Sequence, residues 1–422
     1  MAETLPFQRL PLGEAYASNT VNATVFRVNA LTTRGGTQYA TWYAPGGAVV
    51  VASRPVEGDR WDFHEIKDAV GNVKDAHNGV VVGVSSDGHL HLAYDHHANP
   101  LRYRVTTNPG DIRSFGPVRP MTGRTESRVT YPQFIDAPDG TLLFFYRDGH
   151  SGAGRLCLNR YDPEQRGTWE ALHHPLIDGA DECNPYGWRP AFGPDGSLHV
   201  AWCWRDTSDA RTNHDICYAR SDDGGRTWKR GDGTPQPLPI TPANADVADP
   251  VPTGSNLLNQ CGATVDAQGH PHLAHYHSDA SGVPQYVHLW HDGSKWERHF
   301  VSKRSHAFNL GGTGTLKIPM SRPEIAAQAN GDLWVITRDN EAGGDRIRLY
   351  RGRLADRYRT WTPYDVAVGT DLGEWEPTYD VARLRQSGVL SMFVLPCRQG
   401  DHETVTDFGP QEAAVLEVRL PK

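Results

Sequence analysis

The chain has 422 residues, and its 42 Lys and Arg against 50 Asp and Glu give a formal net charge of -8 at pH 7. This acidic balance argues against general nucleic-acid binding, which usually accompanies a basic domain. No apolar run approaches the ~20 residues that a membrane-spanning helix needs, so we expect no membrane contact. The six cysteines are too few for a disulfide scaffold, and we expect reduced thiols.

The N-terminal stretch MAETLPFQRLPLGE lacks a charged leader followed by an apolar segment, which is the pattern of a signal peptide. We therefore expect a cytoplasmic protein as the sequence stands, or a periplasmic or secreted one if a leader has been trimmed. We also expect a monomer.

Seven stretches along the chain share one pattern, in which a turn leads into a short hydrophobic or alternating strand. In chain order they are GGTQYATWYA from Gly35, DGHLHLAYDHH from Asp87, DGTLLFFYRDG from Asp139, DGSLHVAWCWRD from Asp195, QGHPHLAHYHSD from Gln268, NGDLWVITRDN from Asn330 and SGVLSMFVLPCRQ from Ser387. Asp-Gly and Asn-Gly are hairpin turns, and internal repeats of this size indicate a repeat architecture.

A Trp-bearing turn supports the same conclusion. The segment from Ser221 to Trp228, SDDGGRTW, matches the Asp-box pattern S-x-D-x-G-x-T-W, and HLWHDGSKW (His288 to Trp296) is a weaker echo. Four-stranded units repeated around an axis make a β-propeller. We predict an all-β fold, a seven-bladed β-propeller of four-stranded antiparallel blades, as a single domain over residues 1–422. A β-sandwich or two β domains are the alternatives.

Basic residues recur at the ends of the repeated strands. Six residues after the strand start stand His97, Arg147, Arg205 and Arg338, and His277 falls one residue short. Strand parity predicts one level for these side chains, hence a ring of cations at one mouth of the propeller. A single such Arg would more often be structural, but this recurrence favours an anion site. Guanidinium suits a carboxylate because its fork gives two parallel hydrogen bonds, so an acidic sugar is the expected ligand.

Candidate proton-transfer residues lie near these cations. His77 (in DAHNG) precedes the second repeat, Tyr131 (in RVTYPQF) lies sixteen residues before Arg147, and Tyr186 (in NPYGWRP) is followed by Arg189. Alone, each would more often be a packing or turn residue. Together, His, Tyr and Arg suit β-elimination at a uronic acid, which needs a neutralised carboxylate, a base for the C5 proton and an acid for the leaving oxygen. That chemistry requires no metal.

The stretches DAHNGVVVGVSSDGHLHLAYDHHANPLRYR and VTYPQFIDAPDGTLLFFYRDG resemble the BNR-repeat propeller polysaccharide lyases, which include ulvan lyases and L-rhamnose-α-1,4-D-glucuronate lyases. The resemblance runs over roughly residues 20 to 400 and is strongest from Asp75 to Gly149. In those families a His, a second His about twenty residues on, and a Tyr and Arg sixteen apart form the site. His77, His97, Tyr131 and Arg147 match this pattern.

The resemblance implies a lyase that cleaves a rhamnose–glucuronic acid linkage. It implies that His77 and Tyr131 are the proton-transfer pair, in either order, and that His97 and Arg147 engage the uronate carboxylate. The remaining predicted substrate contacts, which match less securely, are Tyr186, Arg189, Arg205, His277, Arg322 (in SRPEI) and Arg338.

Some members of the resembled families carry a structural zinc or calcium ion. Cys203 and Cys217, near His199 and His214, offer zinc-type ligands, but their spacing follows no strong zinc pattern. Buried free cysteines on adjacent strands are the favoured interpretation, and no cofactor is expected to be needed for catalysis.

Three other functions are compatible with parts of the pattern. A sialidase also uses Asp boxes and an arginine cluster, but its early Arg-Ile-Pro-like motif does not occur in residues 1 to 60. An α-L-rhamnosidase on rhamnosyl-glucuronate glycans would share the substrate but not the product, and the paired carboxylates usual in glycosidases have no obvious motif here. A carbohydrate-binding propeller would keep the cations without needing His77 and Tyr131 as a reactive pair.

Overall fold

The computed structural model describes residues 2–164 and 168–421. Within these residues the regular structure is almost entirely β-strand. The helical segments there are one α-helix, α1 (Val381–Ser387), and two 3₁₀ turns (Ala210–Thr212 and Leu354–Asp356). No helix in residues 2–164 or 168–421 is long and apolar enough to cross a membrane.

The strands are short, as expected for segments punctuated by Gly and Pro turns. The first fourteen are β1 (Glu3–Thr4), β2 (Phe7–Ala15), β3 (Leu31–Arg34), β4 (Thr37–Tyr43), β5 (Ala48–Pro55), β6 (Asp62–Val70), β7 (Val80–Val84), β8 (Leu90–Tyr94), β9 (His97–Asn99), β10 (Tyr103–Val105), β11 (Val129–Asp136), β12 (Leu142–His150), β13 (Ala153–Asp162) and β14 (Thr168–Asp178).

The later strands follow the same pattern. They are β15 (Asn184–Gly187), β16 (Ala191–Phe192), β17 (Leu198–Arg205), β18 (Asn213–Ser221), β19 (Asp246–Asp249), β20 (Gly262–Val265), β21 (Pro271–Ser278), β22 (Pro284–His291), β23 (Trp296–Phe300), β24 (Glu324–Ala327), β25 (Leu333–Thr337), β26 (Arg346–Gly352), β27 (Trp361–Ala367), β28 (Val389–Val394) and β29 (Gln411–Arg419).

These strands form seven small sheets, and the chain has the predicted fold class, a seven-bladed β-propeller. The strand orders are β3-β4-β5-β6, β10-β8-β7, β14-β13-β12-β11-β9, β15-β17-β18-β19 with β16 also on β17, β20-β21-β22-β23, β1-β27-β26-β25-β24, and β2-β29-β28. Each of the seven repeats found in the sequence supplies one strand to a different sheet, namely β4, β8, β12, β17, β21, β25 and β28.

The strand count of the blades differs from the predicted four. Two sheets have four strands and the others have three or five, and β1 pairs with β27 in parallel. One departure matters for function, because β9 does not continue the sheet of β8. It pairs instead with β11, where His97 stands opposite Thr130.

Two non-glycine residues, one between β8 and β9 and one within β9, have left-handed backbone. Asp95 has φ 65° and Ala98 has φ 53°. This conformation is uncommon for residues with a Cβ, and it tends to persist where surrounding contacts enforce it. Ala98 has such a contact, because its N–H donates to the Thr130 hydroxyl at 2.8 Å.

The Asp box forms the predicted capped turn after β18. The Asp223 carboxylate accepts hydrogen bonds from the backbone N–H groups of Arg226 (3.0 Å) and Thr227 (2.8 Å) and from the Thr227 hydroxyl (2.6 Å). Trp228 is buried, and its indole N–H donates to the Gly225 carbonyl at 3.0 Å. The hydrogen-bonding groups of the motif are therefore used to stabilise a hairpin turn, and they do not form a ligand site.

The described chain divides into two compact units, each with its own hydrophobic core. The first comprises residues 2–4, 149–157 and 172–369, and the second comprises residues 5–148, 158–164, 168–171 and 370–421. The first core includes Tyr276, Tyr286 and Val335, and the second includes Tyr43 and Val82. The expectation of a single domain over 1–422 stays a prediction.

Candidate active site

The second unit brings the two predicted histidines together on one carboxylate. His77 follows Asp75 in a turn between β6 and β7, and the Asp75 carboxylate accepts from the backbone N–H of His77 at 2.9 Å. The two oxygens of Asp75 then contact two imidazoles, His77 Nδ1 at 2.9 Å and His97 Nδ1 at 2.6 Å. The rings of His77 and His97 stack with centroids 4.0 Å apart and planes inclined by 17°.

A second carboxylate reaches the same imidazole from the far end of the sequence. Glu403 Oε1 lies 2.9 Å from His77 Nδ1, and its other oxygen accepts from the Ala76 N–H at 3.4 Å. The side chain of His77 is only 12% exposed, whereas that of His97 is 37% exposed. His77 is therefore more buried than His97, and it lies between the carboxylates of Asp75 and Glu403.

These contacts give the three groups different protonation states. Burial would raise the pKa of Asp75, but the hydrogen bonds from His77 and His97 outweigh it and hold that pKa well below 3.8. Burial would lower the pKa of His77, but its hydrogen bonds to Asp75 and Glu403 raise it from 6.5 to about 9. Burial dominates at His97 and lowers its pKa, which the neighbouring charges of His77 and Arg147 lower further.

The protonation states define which nitrogen donates. Asp75 is ionised and can only accept, so both imidazoles present Nδ1–H to it. His77 is then an imidazolium at neutral pH, and its Nε2–H is a donor. His97 is then neutral, and its Nε2 carries a lone pair. One stacked pair thus offers an acid and an acceptor side by side.

Tyr131 adjoins this pair at a bulge in β11. Its backbone has φ 55°, and the pairing of β11 with β12 shifts register between Thr130 and Gln133. The Tyr131 ring centroid lies 5.8 Å from the His77 ring centroid. The Arg147 guanidinium carbon lies 4.9 Å from the Tyr131 ring centroid. Bulges and left-handed residues often aim side chains at functional sites, and this one turns Tyr131 towards His77 and Arg147.

The Thr130 hydroxyl links the histidine strand to Arg147. It accepts from Arg147 Nη2 at 2.9 Å as well as from the Ala98 N–H at 2.8 Å. Arg147 is 3% exposed and lies opposite Thr130 in the β11–β12 pair. The structure therefore gathers all four predicted catalytic residues, His77, His97, Tyr131 and Arg147, into one cluster.

Two members of the cluster were not identified from the sequence. Asp75 lies in the DAHNG segment, and an acid two residues before a His could have indicated it. Glu403 gave no local signal, because it lies in a C-terminal loop more than 300 residues from His77 in sequence. Asp75, His77 and His97 also place three potential metal-ligand atoms within 4.8 Å of one another.

The first unit holds a separate group of predicted substrate residues. Arg205 ends β17, and its guanidinium carbon lies 5.5 Å from the Tyr186 ring centroid, with Nη1 3.4 Å from the Tyr186 hydroxyl. The same Nη1 lies 3.4 Å from Asn259 Oδ1, and Arg322 Nη1 donates to the Asn259 carbonyl at 3.2 Å. Arg205 and Arg322 therefore meet at Asn259, and Tyr186 packs against Arg205. Their role as substrate contacts stays a prediction.

The other three predicted substrate residues have internal partners. Arg189 forms a buried ion pair with Glu324 at 2.7 Å. Arg338 donates to the carbonyls of Ile318 (3.0 Å) and Pro319 (3.1 Å), which holds the segment before β24. His277 lies on β21 and is 6% exposed, and burial lowers its pKa. These contacts favour structural roles for Arg189 and Arg338, and a neutral His277 instead of a cation.

Cys203 and Cys217 lie on the paired strands β17 and β18. Both are buried free thiols, and burial raises the pKa of Cys203 to about 12 and that of Cys217 well above 9.0. In residues 2–164 and 168–421, the groups of three or more potential metal ligands do not include either cysteine.

The repeats, the seven sheets and the clustered site define a β-propeller of the BNR-repeat class. A profile described as "BNR repeat-containing family member" matches residues 37–304, and the chain belongs to this family.

Ulvan lyases occur among the relatives of the chain. The long isoform of ulvan lyase from Pseudoalteromonas sp. (strain PLSV) is 32% identical over 152 residues, which are 33% of this chain and 14% of that relative. The chain therefore matches only a small part of the length of that relative.

Solved structures match the fold over almost the whole chain. A PL25 ulvan lyase has a TM-score of 0.72 at 14% identity, covering 96% of this chain and 95% of its own. Another, bound to -[GlcA(1-4)Rha3S]-, has a TM-score of 0.69 at 14% identity, covering 95% of each chain. These similarities confirm the propeller fold.

Proposed function

We propose that this protein is a polysaccharide lyase that cleaves a rhamnose–glucuronic acid linkage by β-elimination. The observation that carries the proposal is the stacked pair of His77 and His97 on Asp75, with Tyr131 and Arg147 beside it. A charged donor, a neutral acceptor, a phenol and a guanidinium in one cluster meet the needs of elimination at a uronate.

The reaction can be written with its protons and electrons balanced. A base removes the proton from C5 of the glucuronate, and the C5–H electron pair forms the C4=C5 double bond. The C4–O bond breaks, and its electron pair leaves with the rhamnose oxygen, which an acid protonates. The products are a 4,5-unsaturated uronate and a free hydroxyl. Positive charge at the carboxylate makes the C5 proton easier to remove.

The charge state of His77 supports one of the two roles that the sequence left open for this residue. An imidazolium with a pKa of about 9 has no lone pair for a proton at neutral pH. His77 therefore serves as the donor to the leaving oxygen. Tyr131, the other member of the pair, serves as the base in its phenolate form, which the positive charge of the neighbouring Arg147 guanidinium favours. Arg147 binds the uronate carboxylate through its guanidinium fork.

For His97 we propose a different role from the carboxylate contact that the family resemblance implies. With Nδ1–H donated to Asp75, its Nε2 is an acceptor, and a neutral acceptor does not attract a carboxylate. We propose that His97 orients a substrate hydroxyl and keeps the charge on His77. If His97 is itself the base, its replacement will abolish turnover as completely as that of Tyr131.

The substrate class rests on the resemblance and on the bound ligand of the similar PL25 ulvan lyase, a glucuronate–sulfated rhamnose unit. An acidic glycan also fits this site, because the Arg147 guanidinium is a cationic partner for a carboxylate. Tyr186, Arg205 and Arg322 are proposed as secondary contacts to that glycan.

The test is to incubate the protein with ulvan and with gum arabic and to follow absorbance near ~235 nm, where the conjugated uronate product of acid–base elimination absorbs. Wild-type protein should give a steady rise, and His77→Ala and Tyr131→Phe should lose it. His64→Ala, on β6, and Tyr364→Phe, on β27, are matched controls that should retain it.

Other outcomes would replace the proposal. Release of free rhamnose without a rise in absorbance would identify a rhamnosidase. Retention of glycan by wild type and by both site variants, with no product of either kind, would identify a carbohydrate-binding propeller.

A further inference from the structure

His77 and His97 contact the same carboxylate, yet they differ in proton affinity in the direction opposite to the one that this carboxylate predicts. Asp75 lies closer to His97 Nδ1 (2.6 Å) than to His77 Nδ1 (2.9 Å). His77 is also the more buried of the two, and burial disfavours a charged imidazole. Both comparisons predict that His97 binds a proton more tightly. Instead, the pKa of His77 is raised to about 9 and that of His97 is lowered.

Several segments of the chain bring titratable groups to the His77 ring. They are Asp75 in the same turn, His97 on β9, Tyr131 on β11 and Glu403 in the loop between β28 and β29, with Arg147 of β12 beside Tyr131. The apolar ring of Phe26 stacks on the His77 ring with centroids 6.0 Å apart. Of these groups, Asp75 and Glu403 are the ones that favour a charged imidazole at His77.

Glu403 is the group that distinguishes the two imidazoles. Burial lowers the pKa of His77, and the hydrogen bonds and charges of Asp75 and Glu403 raise it. Burial also lowers the pKa of His97, Asp75 raises it, and the positive charges of His77 and Arg147 lower it further. Because Asp75 acts on both rings, the difference comes from the second carboxylate at His77, and Arg147 adds to it at His97.

The Glu403 carboxylate contacts both the ring and the backbone of the turn that carries His77. Its Oε1 lies 2.9 Å from His77 Nδ1, and its Oε2 accepts from the Ala76 N–H at 3.4 Å. Asp75 Oδ1 also lies 2.9 Å from His77 Nδ1, so this nitrogen faces two carboxylate oxygens. The Glu403 side chain is 27% exposed, and partly buried charge pairs are screened by salt less than exposed ones.

The backbone at Glu403 bends sharply. His402 and Glu403 have φ of 58° and 61°, so two consecutive non-glycine residues are left-handed. Such conformations persist where the surrounding structure enforces them, and they concentrate at functional sites. Thr404 closes the bend, because its N–H (3.2 Å) and its hydroxyl (2.6 Å) both donate to the Asp401 carbonyl. The loop therefore holds Glu403 at a defined turn.

The loop between β28 and β29, which contains this bend, is tied to the loop between β2 and β3. Thr406 donates to the Ser18 carbonyl from its N–H and from its hydroxyl, both at 2.9 Å. The loop between β2 and β3 contacts the segment between β6 and β7 in the same way, because Asn19 Nδ2 donates to the Val73 carbonyl at 2.8 Å. Contacts among three separate loops therefore hold the acid and the imidazole together.

We propose that Glu403 is a positioning residue of the active site, which keeps the proton on His77 and leaves His97 neutral. Without Glu403, the two rings would compete for Asp75, and the shorter contact would favour His97. The donor of the elimination would then be lost at neutral pH. The kinetic consequence rests on the proposed lyase function, whereas the distribution of the proton follows from the contacts themselves.

The experiment is to titrate the His77 ring by NMR in the full chain, without substrate, in wild type and in Glu403→Gln. The signal of His77 is identified by its absence from His77→Gln. Glu403→Gln removes the charge and keeps the size of the side chain, so the midpoint of the His77 titration should fall by about 1–3 pH units, the effect of a nearby opposite charge. Glu403→Asp keeps the charge and should give a midpoint between those of Glu403→Gln and wild type.

Turnover gives a second readout. At pH 6 most of His77 should be protonated in both proteins, so kcat of Glu403→Gln should stay within about twofold of wild type. At pH 8 a midpoint lowered by about 2 pH units leaves about a tenth of the donor, and kcat should fall about 10-fold. A residue with a purely structural role would lower kcat equally at both pH values. Asp407→Asn removes an exposed acid of the same loop and should change neither readout.

The possible failures are distinguishable. A His77 midpoint in Glu403→Gln equal to that of wild type would overturn the proposal, whether or not the protein cleaves a glycan. A lowered midpoint in a chain without lyase activity would support the role of Glu403 and contradict the proposed function. Thermal melts establish that each variant is folded, and Glu403→Ala, which also removes the charge, repeats the test if Glu403→Gln folds poorly.

Discussion

The imidazole rings of His77 and His97 stack face to face with centroids 4.0 Å apart, and both donate to one carboxylate, Asp75. Two imidazolium ions at that separation would repel each other, so the pair carries one charge rather than two. The second acid, Glu403, lies 2.9 Å from His77 Nδ1, which places the charge on His77. The asymmetry is what turns two chemically identical side chains into a donor and an acceptor.

Replacing Asp75 by Asn should disable the pair while keeping its shape. The amide cannot stabilise an imidazolium, so the pKa of His77 should fall and the donor should be lost at neutral pH. We expect turnover to fall about 10²- to 10⁴-fold, the range for loss of acid–base catalysis. Rates at ~235 nm and NMR titration of the histidine rings check both parts. Asp59→Asn, an exposed site in the same unit, is the control, and an unchanged His77 titration would contradict the account.

Stability should depend on pH through His77. Its folded pKa of about 9 exceeds the unfolded value near 6.5, so its stabilising contribution is complete below pH 6.5 and is lost as pH rises through about 9. The thermal midpoint of wild type should therefore exceed that of His77→Gln at neutral pH, and the gap should close in alkaline buffer. Thermal melts across that range measure it, with His64→Gln as the control. A gap that is constant with pH would mean that His77 is uncharged.

Turnover should follow the same ionisation if His77 is the donor. Deprotonation of His77 removes the acid, so kcat should fall as pH rises through about 9. A pH profile of kcat for the wild-type enzyme checks this, and Tyr131→Phe should lower the rate at every pH. A kcat that does not fall through this range would argue against His77 as the donor.

Thr130→Val should weaken substrate binding as well as lower the stability of the protein. The substitution removes the acceptor of the Ala98 N–H and of Arg147. Thr106→Val is a matched control, because the Thr106 hydroxyl accepts the Leu90 N–H at 3.0 Å in the same unit. Each should lower the free energy of unfolding by about 1–3 kcal/mol, the usual cost of an unsatisfied buried donor. Only Thr130→Val should raise KM, because Arg147 binds the carboxylate. Equal KM values in the two variants would show that Thr130 does not hold Arg147 in position for the substrate.

The Asp box should contribute to stability and not to activity. Asp223→Ala removes an acceptor of several hydrogen bonds within its turn and should lower the free energy of unfolding by about 1–2 kcal/mol. Asp222→Ala removes a surface ion-pair partner and should cost about 0–1 kcal/mol. Urea unfolding measures both, and turnover should be unchanged. A loss of activity in Asp223→Ala without a loss of stability would give this turn a functional role.

Much of the fold could be predicted because hairpin information is local. Asp87-Gly88 and Asp139-Gly140 place glycine at positions with φ of 85° and 86°, which residues with a Cβ rarely adopt, and a hydrophobic strand follows each turn. The number of strands in each blade could not be predicted in this way. Whether a short segment such as β9 joins the sheet before it or the one after it depends on hydrogen bonds to a distant strand, here at Thr130.

The candidate site, like the fold, could be predicted from the sequence only in part. The sequence alone determined the seven repeats, the hairpin turns and the candidacy of His77, His97, Tyr131 and Arg147, because turn geometry and residue spacing are properties of neighbouring residues. Only the tertiary structure decided which of these groups carries charge, and which predicted cations form internal ion pairs or bind backbone carbonyls. Protonation depends on burial and on the charges within a few ångströms, and the folded chain brings those groups together from positions as distant as Asp75 and Glu403.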